Sequence, residues 1–388
     1  MLRIFALITL VFATTWALAN PNPIVVNCDG GQSLNKTLSA LDKHTPATVS
    51  VKGTCTEYIQ IVGFDGLTLK GLAGATLTQP STDPTNGLTI QVVLIIASRS
   101  VTLDGFAIHS RSSALSSIGV GRGSADIQLH NLTLDGVGAY GIVVFDGSQA
   151  ELHKVNARDP GYATLGVYDV SDVHVEDCYF QQTTTGPWNA GMDVGSGHVT
   201  VQRTTIHNME VGINIGSGGR VDIQKYNTYY AYQTTNDVII DNPAHTNFWG
   251  VAVGSGSLLN IGFVKLWINH PGQSWGGNTG GVYVYDGSTL NAGANLVISG
   301  SQGQGIFMSN DSHATLAGSS ITGSGHAGVV VANLSTVESG ASTPPTQIMG
   351  NAVDLFCDSK SVISGGANIA YAVNACANLL PGDTEGLP

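Results

Sequence analysis

Two carboxylates stand where acid–base chemistry needs them to be compared first. Asp193 lies in Gly191-Met192-Asp193-Val194, and Glu210 lies in Asn208-Met209-Glu210-Val211. A carboxyl pair that flanks a glycosidic bond, one group giving a proton and the other activating water, needs ~6.5–9.5 Å between its members. His207, three residues before Glu210, is a candidate third member. Near them in sequence are residues suited to the faces and hydroxyls of sugar rings. Tyr168, Trp188, Trp249, Trp275 and Tyr283 offer flat apolar surface, and Asn214 offers an amide. A calcium-assisted elimination would instead need a carboxylate cluster and a basic Arg or Lys. Arg158, Asp159, Asp193 and Glu210 are the candidates for that chemistry. No Cys-x-x-Cys pair points to zinc, and no metal ligand set is assigned.

These residues recur within a repeat. The word is glycine, apolar, any residue, apolar: Gly141-Ile142-Val143-Val144, Gly191-Met192-Asp193-Val194, Gly212-Ile213-Asn214-Ile215, Gly250-Val251-Ala252-Val253, Gly281-Val282-Tyr283-Val284, Gly305-Ile306-Phe307-Met308 and Gly328-Val329-Val330-Val331. A Gly-Ser turn often follows, as at Gly147-Ser148 and Gly287-Ser288. A second alternating strand comes next, such as Val199-Thr200-Val201. A third, such as Thr204-Thr205-Ile206, follows after a two-residue break. Three short strands per repeat, with no helix between, exclude a doubly wound sheet. The simple solution is a coil of three strands stacked ~4.8 Å from its copy. The reading is an all-β, single-stranded parallel β-helix of roughly ten or eleven coils.

Alternation turns the middle residue of each word outward, so that one residue per coil forms a row: Val143, Tyr168, Asp193, Asn214, Ala252, Tyr283, Phe307, Val330 and Asp354. Two long insertions lie between Gly212 and Gly281. The first carries Tyr226, Tyr229, Tyr230, Tyr232, Phe248 and Trp249, and the second Asn269, His270, Trp275 and Asn278. Long loops on a rigid scaffold are where binding concentrates. The expected site is therefore Tyr168, Asp193, Asn214 and Tyr283, walled by Trp188, Trp249 and Trp275. The same aromatics would equally form a ladder that only stabilises the sheet.

The ends divide the chain further. Residues 1–19 read as a signal peptide: Arg3, an apolar run from Ile4 to Ala13, and Ala17-Leu18-Ala19 before Asn20. Residues 20–46 read as an N-terminal cap, with Ser33 capping a helix from Leu34 to about Lys43. Residues 47–380 form the β-helix and 381–388 a polar tail. Of five cysteines, Cys28–Cys55 and Cys357–Cys376 are sequence-local pairs suited to stapling the two ends in an oxidising compartment, and Cys178 reads as a buried thiol. With 13 prolines and no every-third glycine rule, the 50 glycines are not collagen. A net charge of −12 argues against a general nucleic-acid binder, and the few Lys and Arg near the row favour a neutral glycan, or no glycan, over a polyuronate.

The coil word, the helical cap and the leader resemble the right-handed parallel β-helix superfamily that includes pectate lyases and polygalacturonases, over about residues 25–380. Polygalacturonases carry Asn-Thr-Asp-Gly, Asp-Asp, Gly-His-Gly and Arg-Ile-Lys. Here Trp188-Asn189-Ala190-Gly191, Glu210-Val211 and Phe248-Trp249-Gly250 occupy the first three places, and Arg-Ile-Lys is missing. The resemblance thus implies the frame without that hydrolase chemistry. The leader, with no later stretch of spanning length, points to a secreted, periplasmic or extracellular product, expected as a monomer that binds or processes an extracellular polysaccharide. The alternative is a non-catalytic structural or adhesive β-helix. No cofactor is expected, unless a lyase activity brings calcium.

Overall fold

A computed structural model of the chain describes residues 24–82, 90–136, 138–183, 189–224, 237–242, 248–262, 264–272 and 279–381. The leader, Trp188, Trp275, Tyr226 to Tyr232, Asn278 and the tail beyond Pro381 lie outside the described residues. The described strands stack into three parallel sheets of 14, 13 and 13 strands. Each coil runs through the first sheet (Ala47–Lys52 in an early coil), the second (Thr54–Thr56) and the third (Ile59–Val62). The solenoid is right-handed and makes about 12 turns. The count exceeds the ten or eleven expected because early third-sheet strands, such as Ile59–Val62 and Gln91–Ile96, have no glycine word to announce them.

The inward columns are continuous. Val144, Val167, Val194, Ile215 and Val253 pair in succession on the third sheet, all fully buried. On the second sheet Ile206, Ile240, Ile268, Ile298, Ile321 and Ile348 form another column. This isoleucine column explains the glycine word. A Cβ added at Gly191, Gly212, Gly250, Gly281, Gly305 or Gly328 would lie 2.3–2.8 Å from the Cγ2 methyl of the facing isoleucine. The chain bends there, so the residue before the glycine and the one two after it both face outward. In the coil where the column holds Phe180, which has no β-branch, Thr164 takes the bend.

That exchange shifts one coil of the expected row. Gly166, not Tyr168, stands opposite Asp193, and Tyr168 stands opposite Gly195. Asp354 likewise leaves the row: Phe356 pairs with Val330, and Asp354 is buried at the bend. The Asp354 Oδ2 accepts the N–H groups of Ala372 and Val373 at 2.7 and 2.9 Å. The Gly-Ser turns have a purpose that spacing did not reveal. Their serines stack inside the corner between the third and first sheets, each hydroxyl accepting the N–H of the serine one coil before. Ser98 to Ser124 spans 3.3 Å, Ser124 to Ser148 3.2 Å and Ser148 to Ser171 3.1 Å, and the ladder resumes at Ser257 to Ser288 and Ser312 to Ser335.

Both ends are covered. Helix α1, Leu34–Ser39, lays Leu34 and Leu38 on the first coil. Ser33 caps it by accepting from Lys36 N at 3.2 Å, and Glu57 accepts from Leu34 N at 2.6 Å. The helix is shorter than expected because Asp42 binds His44 N at 3.1 Å and Thr45 Oγ1 at 2.7 Å, an Asx turn that draws the chain away. At the far end Asn378 to Pro381 runs along the last first-sheet strand, with Leu380 N donating to Ile363 O at 2.8 Å. This segment pairs the open edge of that strand. Disulfides join Cys28 to Cys55 and Cys357 to Cys376. Cys178 is unbridged and buried, its thiol pushed up to about 12 by burial.

The isoleucine contacts give a direct test. In Gly250→Ala the new Cβ would fall 2.4 Å from Ile268 Cγ2 and 2.8 Å from Gly281 O, whereas Gly216→Ala meets nothing within 4 Å. Urea unfolding should show a loss of ~1–3 kcal/mol for the first. The second should stay within about 0.5 kcal/mol of the parent. Equal stability of the two variants would contradict the packing described.

Candidate functional site

The outward row of the third sheet, read from the register, is Val143, Gly166, Asp193, Asn214, Ala252, Tyr283, Phe307, Val330 and Phe356. Successive members stand ~4.8 Å apart, as parallel pairing requires. Two clusters occupy this row.

The first centres on Asp193, which is 7% exposed. Its Oδ1 accepts from Asn214 Nδ2 at 2.7 Å. Its Oδ2 accepts from the Tyr168 hydroxyl, and Tyr162 bonds to the same carboxylate. Tyr168 is displaced along its strand by two positions. It still reaches Asp193 because Gly166 and Gly195 leave room for its ring: a Cβ at either would lie 2.8 or 3.0 Å from it. The Tyr140 and Tyr168 hydroxyls are 3.1 Å apart. Ala163, Ala190, Val211 and Ala252 form a small apolar floor against which Tyr140 and Tyr162 pack. Burial raises all three tyrosines above their ordinary range, Tyr162 to about 12, with the Asp193 charge adding to it in each. They therefore remain neutral phenols. Sequence reasoning missed Tyr140 and Tyr162. Their signal was an aromatic just outside the glycine word in successive coils.

The second cluster is an aromatic stack. Trp249 lies 5.1 Å from Tyr283, and Tyr283 lies 5.2 Å from Phe307, with interplanar angles of 26° and 10°. Tyr285 stacks on Tyr283 at 4.5 Å, over Gly254, where a Cβ would fall 2.1 Å from its ring. Tyr283, Tyr285 and Phe307 are half-buried and leave part of each ring to solvent. Trp249 is itself buried at 7% exposure, so it supports the stack from beneath rather than walling it.

Glu210 stands apart from both. It lies at the bend before Val211, and Val211 pairs with Ala190, which places Glu210 opposite Asn189. Asn189 is four residues from Asp193, ~13 Å along an extended chain. The Glu210 N–H donates to Asn189 Oδ1 at 3.0 Å. Its Oε2 is buried with no hydrogen-bond partner among the described residues, and burial raises its carboxyl above the ordinary range. The structure brings Asp193, Asn214 and Tyr168 together and leaves Glu210 separate. His207 is on the second sheet, 3.7 Å from Asp241 and stacked on Tyr179. Arg158 pairs with Asp135 there, and Arg203 with Glu176 and Asp177 on the first sheet.

A family model for the right-handed beta helix region matches residues 91–229. With three stacked parallel sheets, the fold of the chain is a right-handed parallel β-helix. No curated protein matches its sequence. Similar solved structures include tailspike protein 3 of bacteriophage CBA120, with 13% identity and a TM-score of 0.45 over 93% of this chain and 60% of that one. PfbA, a surface adhesin of Streptococcus pneumoniae, shows 11% identity and a TM-score of 0.36 over 92% of each chain. The receptor-binding protein of bacteriophage Det7 shows 13% identity and a TM-score of 0.29 over 93% of this chain and 76% of that one. The chain thus spans 60% of the length of the CBA120 protein.

The first sheet carries a separate ionic ladder. His198 is held between Asp172 and Asp222, 2.9 Å from each. Hydrogen bonds to Asp172 and Asp222 raise its imidazole to about 9. A histidine raised in the folded state stabilises fully below its unfolded value of ~6.5, and that contribution fades as pH climbs to the folded value. The Tm difference between parent and His198→Gln should therefore be largest near pH 6 and shrink by pH 9. Parallel Tm–pH curves would contradict the clamp.

Proposed function

We propose that this protein binds an extracellular glycan along the outward face of the third sheet. The observation that carries this reading is the continuity of two surfaces: the partly open rings of Tyr283, Tyr285 and Phe307 lie in register with the polar cluster of Asp193, Asn214 and the tyrosine hydroxyls. Aromatic faces match the apolar faces of sugar rings, and fixed hydroxyls and amides match sugar hydroxyls. Asp193 acts here as an organising acceptor. Its oxygens are committed to tyrosine and asparagine donors, which leaves it poorly placed to take a substrate proton. Secretion accords with the leader-like residues 1–19 and with two disulfides. Among the described residues no helix is long and apolar enough to cross a membrane.

A second reading, processing of the glycan, is favoured by one observation. Glu210 has a buried oxygen with no partner among the described residues and a raised carboxyl, the state of a general acid. A lyase route would add calcium to this reading. Such catalysis would draw its second group from outside the pair expected from the sequence.

A glycan array probed with the parent, Tyr283→Ala and Phe307→Ala tests the first reading. Each variant should keep the parent's circular dichroism and weaken the strongest hit by about 10-fold or more, ~1.4 kcal/mol. Retained affinity in both variants would contradict the surface assigned. Reducing-end and unsaturated-product assays on the same glycan address the second reading. Turnover that survives Glu210→Gln would remove Glu210 from it.

A further inference from the structure

On the outward face of the first sheet, far in the coil from the aromatic row, one imidazole and two carboxylates converge from successive coils. His153 ends the strand Gln149–His153, and His174 and Glu176 belong to the next, Asp172–Glu176. The register sets His153 opposite Glu176. Asp177 follows at the left-handed corner. His153 Nδ1 is 3.7 Å from Glu176 Oε2 and 3.7 Å from Asp177 Oδ2, and His174 Nε2 is 3.6 Å from Glu176 Oε2. One ligand atom from each of His153, Glu176 and Asp177 falls within 4.8 Å of the others.

These separations are too long for hydrogen bonds. They match the edge of a coordination polyhedron: nitrogen and oxygen ligands ~2.1 Å from a tetrahedral ion lie roughly 3.4 Å from one another. The opposite side of each carboxylate is already held. Arg203 pairs with Glu176 Oε1 and with Asp177, its Nε 2.6 Å from Asp177 Oδ1, and Gln202 Nε2 donates to Glu176 Oε1 at 3.0 Å. Such outer partners orient ligating oxygens. Two carboxylates and one guanidinium leave a net charge of −1, so a dication is still attracted. His174 is 7% exposed, hydrogen-bonded to the Thr200 backbone and 3.6 Å from Glu176 Oε2, so it packs beside the cluster without joining it. His130 stands one coil earlier with its ring 5.8 Å from His153 in an edge contact, and its buried Nε2 has no hydrogen-bond partner among the described residues.

We propose that His153, Glu176 and Asp177 form a structural site for a divalent transition metal that clips two successive coils together. One imidazole nitrogen and two carboxylate oxygens, with water in the fourth position, suit zinc and its first-row neighbours, and an all-oxygen preference makes calcium the poorer fit. An ion bound only by the folded coil stabilises it by mass action. The site is independent of the glycan-binding reading and lies on a different sheet.

Calorimetric titration of the EDTA-treated, dialysed full chain with zinc chloride tests the site. The result expected is one zinc per chain and a rise in Tm. His153→Gln and Glu176→Gln should each weaken binding by about 10-fold or more. His313→Gln, at a half-buried first-sheet histidine bonded to Thr336, should bind as the parent does. Cobalt(II) added to the parent should give the visible bands of a tetrahedral ion, a readout that stands even where a variant folds poorly. No zinc uptake, uptake unchanged in both variants, calcium bound as tightly as zinc, or cobalt without tetrahedral bands would each overturn the proposal.

Discussion

A strand in this chain has no hydrogen-bonding partner within its own coil. Every described ladder joins a strand to its counterpart one turn before or after, and all of these ladders are parallel. Buried backbone groups must be paired, so a coil is satisfied only when its neighbours share its shape. That demand sets the rest: isoleucine over isoleucine on the second sheet, valine over valine on the third, and a serine hydroxyl over the next serine N–H in the corner. It also makes the two ends a liability, since the last strand on each side has an open edge. Helix α1 and the segment Asn378 to Pro381 answer it, each tied down near a disulfide.

The same constraint builds the outward face. Once strands stack in register, an outward side chain can move little along the coil axis, and variety enters through size. Glycine provides it twice. At the bends it admits an isoleucine methyl, and on the outer face at Gly166, Gly195 and Gly254 it lets a tyrosine ring lie flat across the sheet. Tyr168 thereby reaches Asp193 from a position two residues off the row. Tyr285 joins Tyr283 by the same device. Rings seated in this way lose little freedom on binding, a gain in pre-organisation.

Much of the fold was legible because its periodicity is written in single residues. The word Gly212-Ile213-Asn214-Ile215 shows the bend, the inward pair and the outward residue at once. The word misled where two of its letters were exchanged together. Gly166 looks like a bend glycine, but Thr164 holds the bend beside Phe180, so the reading slipped by two residues and set Tyr168 in the row. Asp354 entered the row by a similar slip. The site was legible as a row and not as a set of contacts. Nothing in the spacing shows that the Asp193 carboxylate is bound by its neighbours, that Trp249 is covered, or that Glu210 lies across the bend from Asp193. Those facts arise from side-chain reach over a curved surface. The convergence of His153 with Glu176 and Asp177 was hidden for a further reason: its members belong to different coils and only the register sets them together.

The central claim is that the stacked coils present the third-sheet face, and no other, to a glycan. Hydroxyl-radical footprinting of the full chain, with and without an oligosaccharide retained on an array, tests it most directly. Protection should fall on Tyr283, Tyr285 and Phe307, while Tyr179 and His207 on the second sheet and His198 on the first react as in the free protein. Protection centred on the second or first sheet, with the third-sheet rings still reactive, would contradict it.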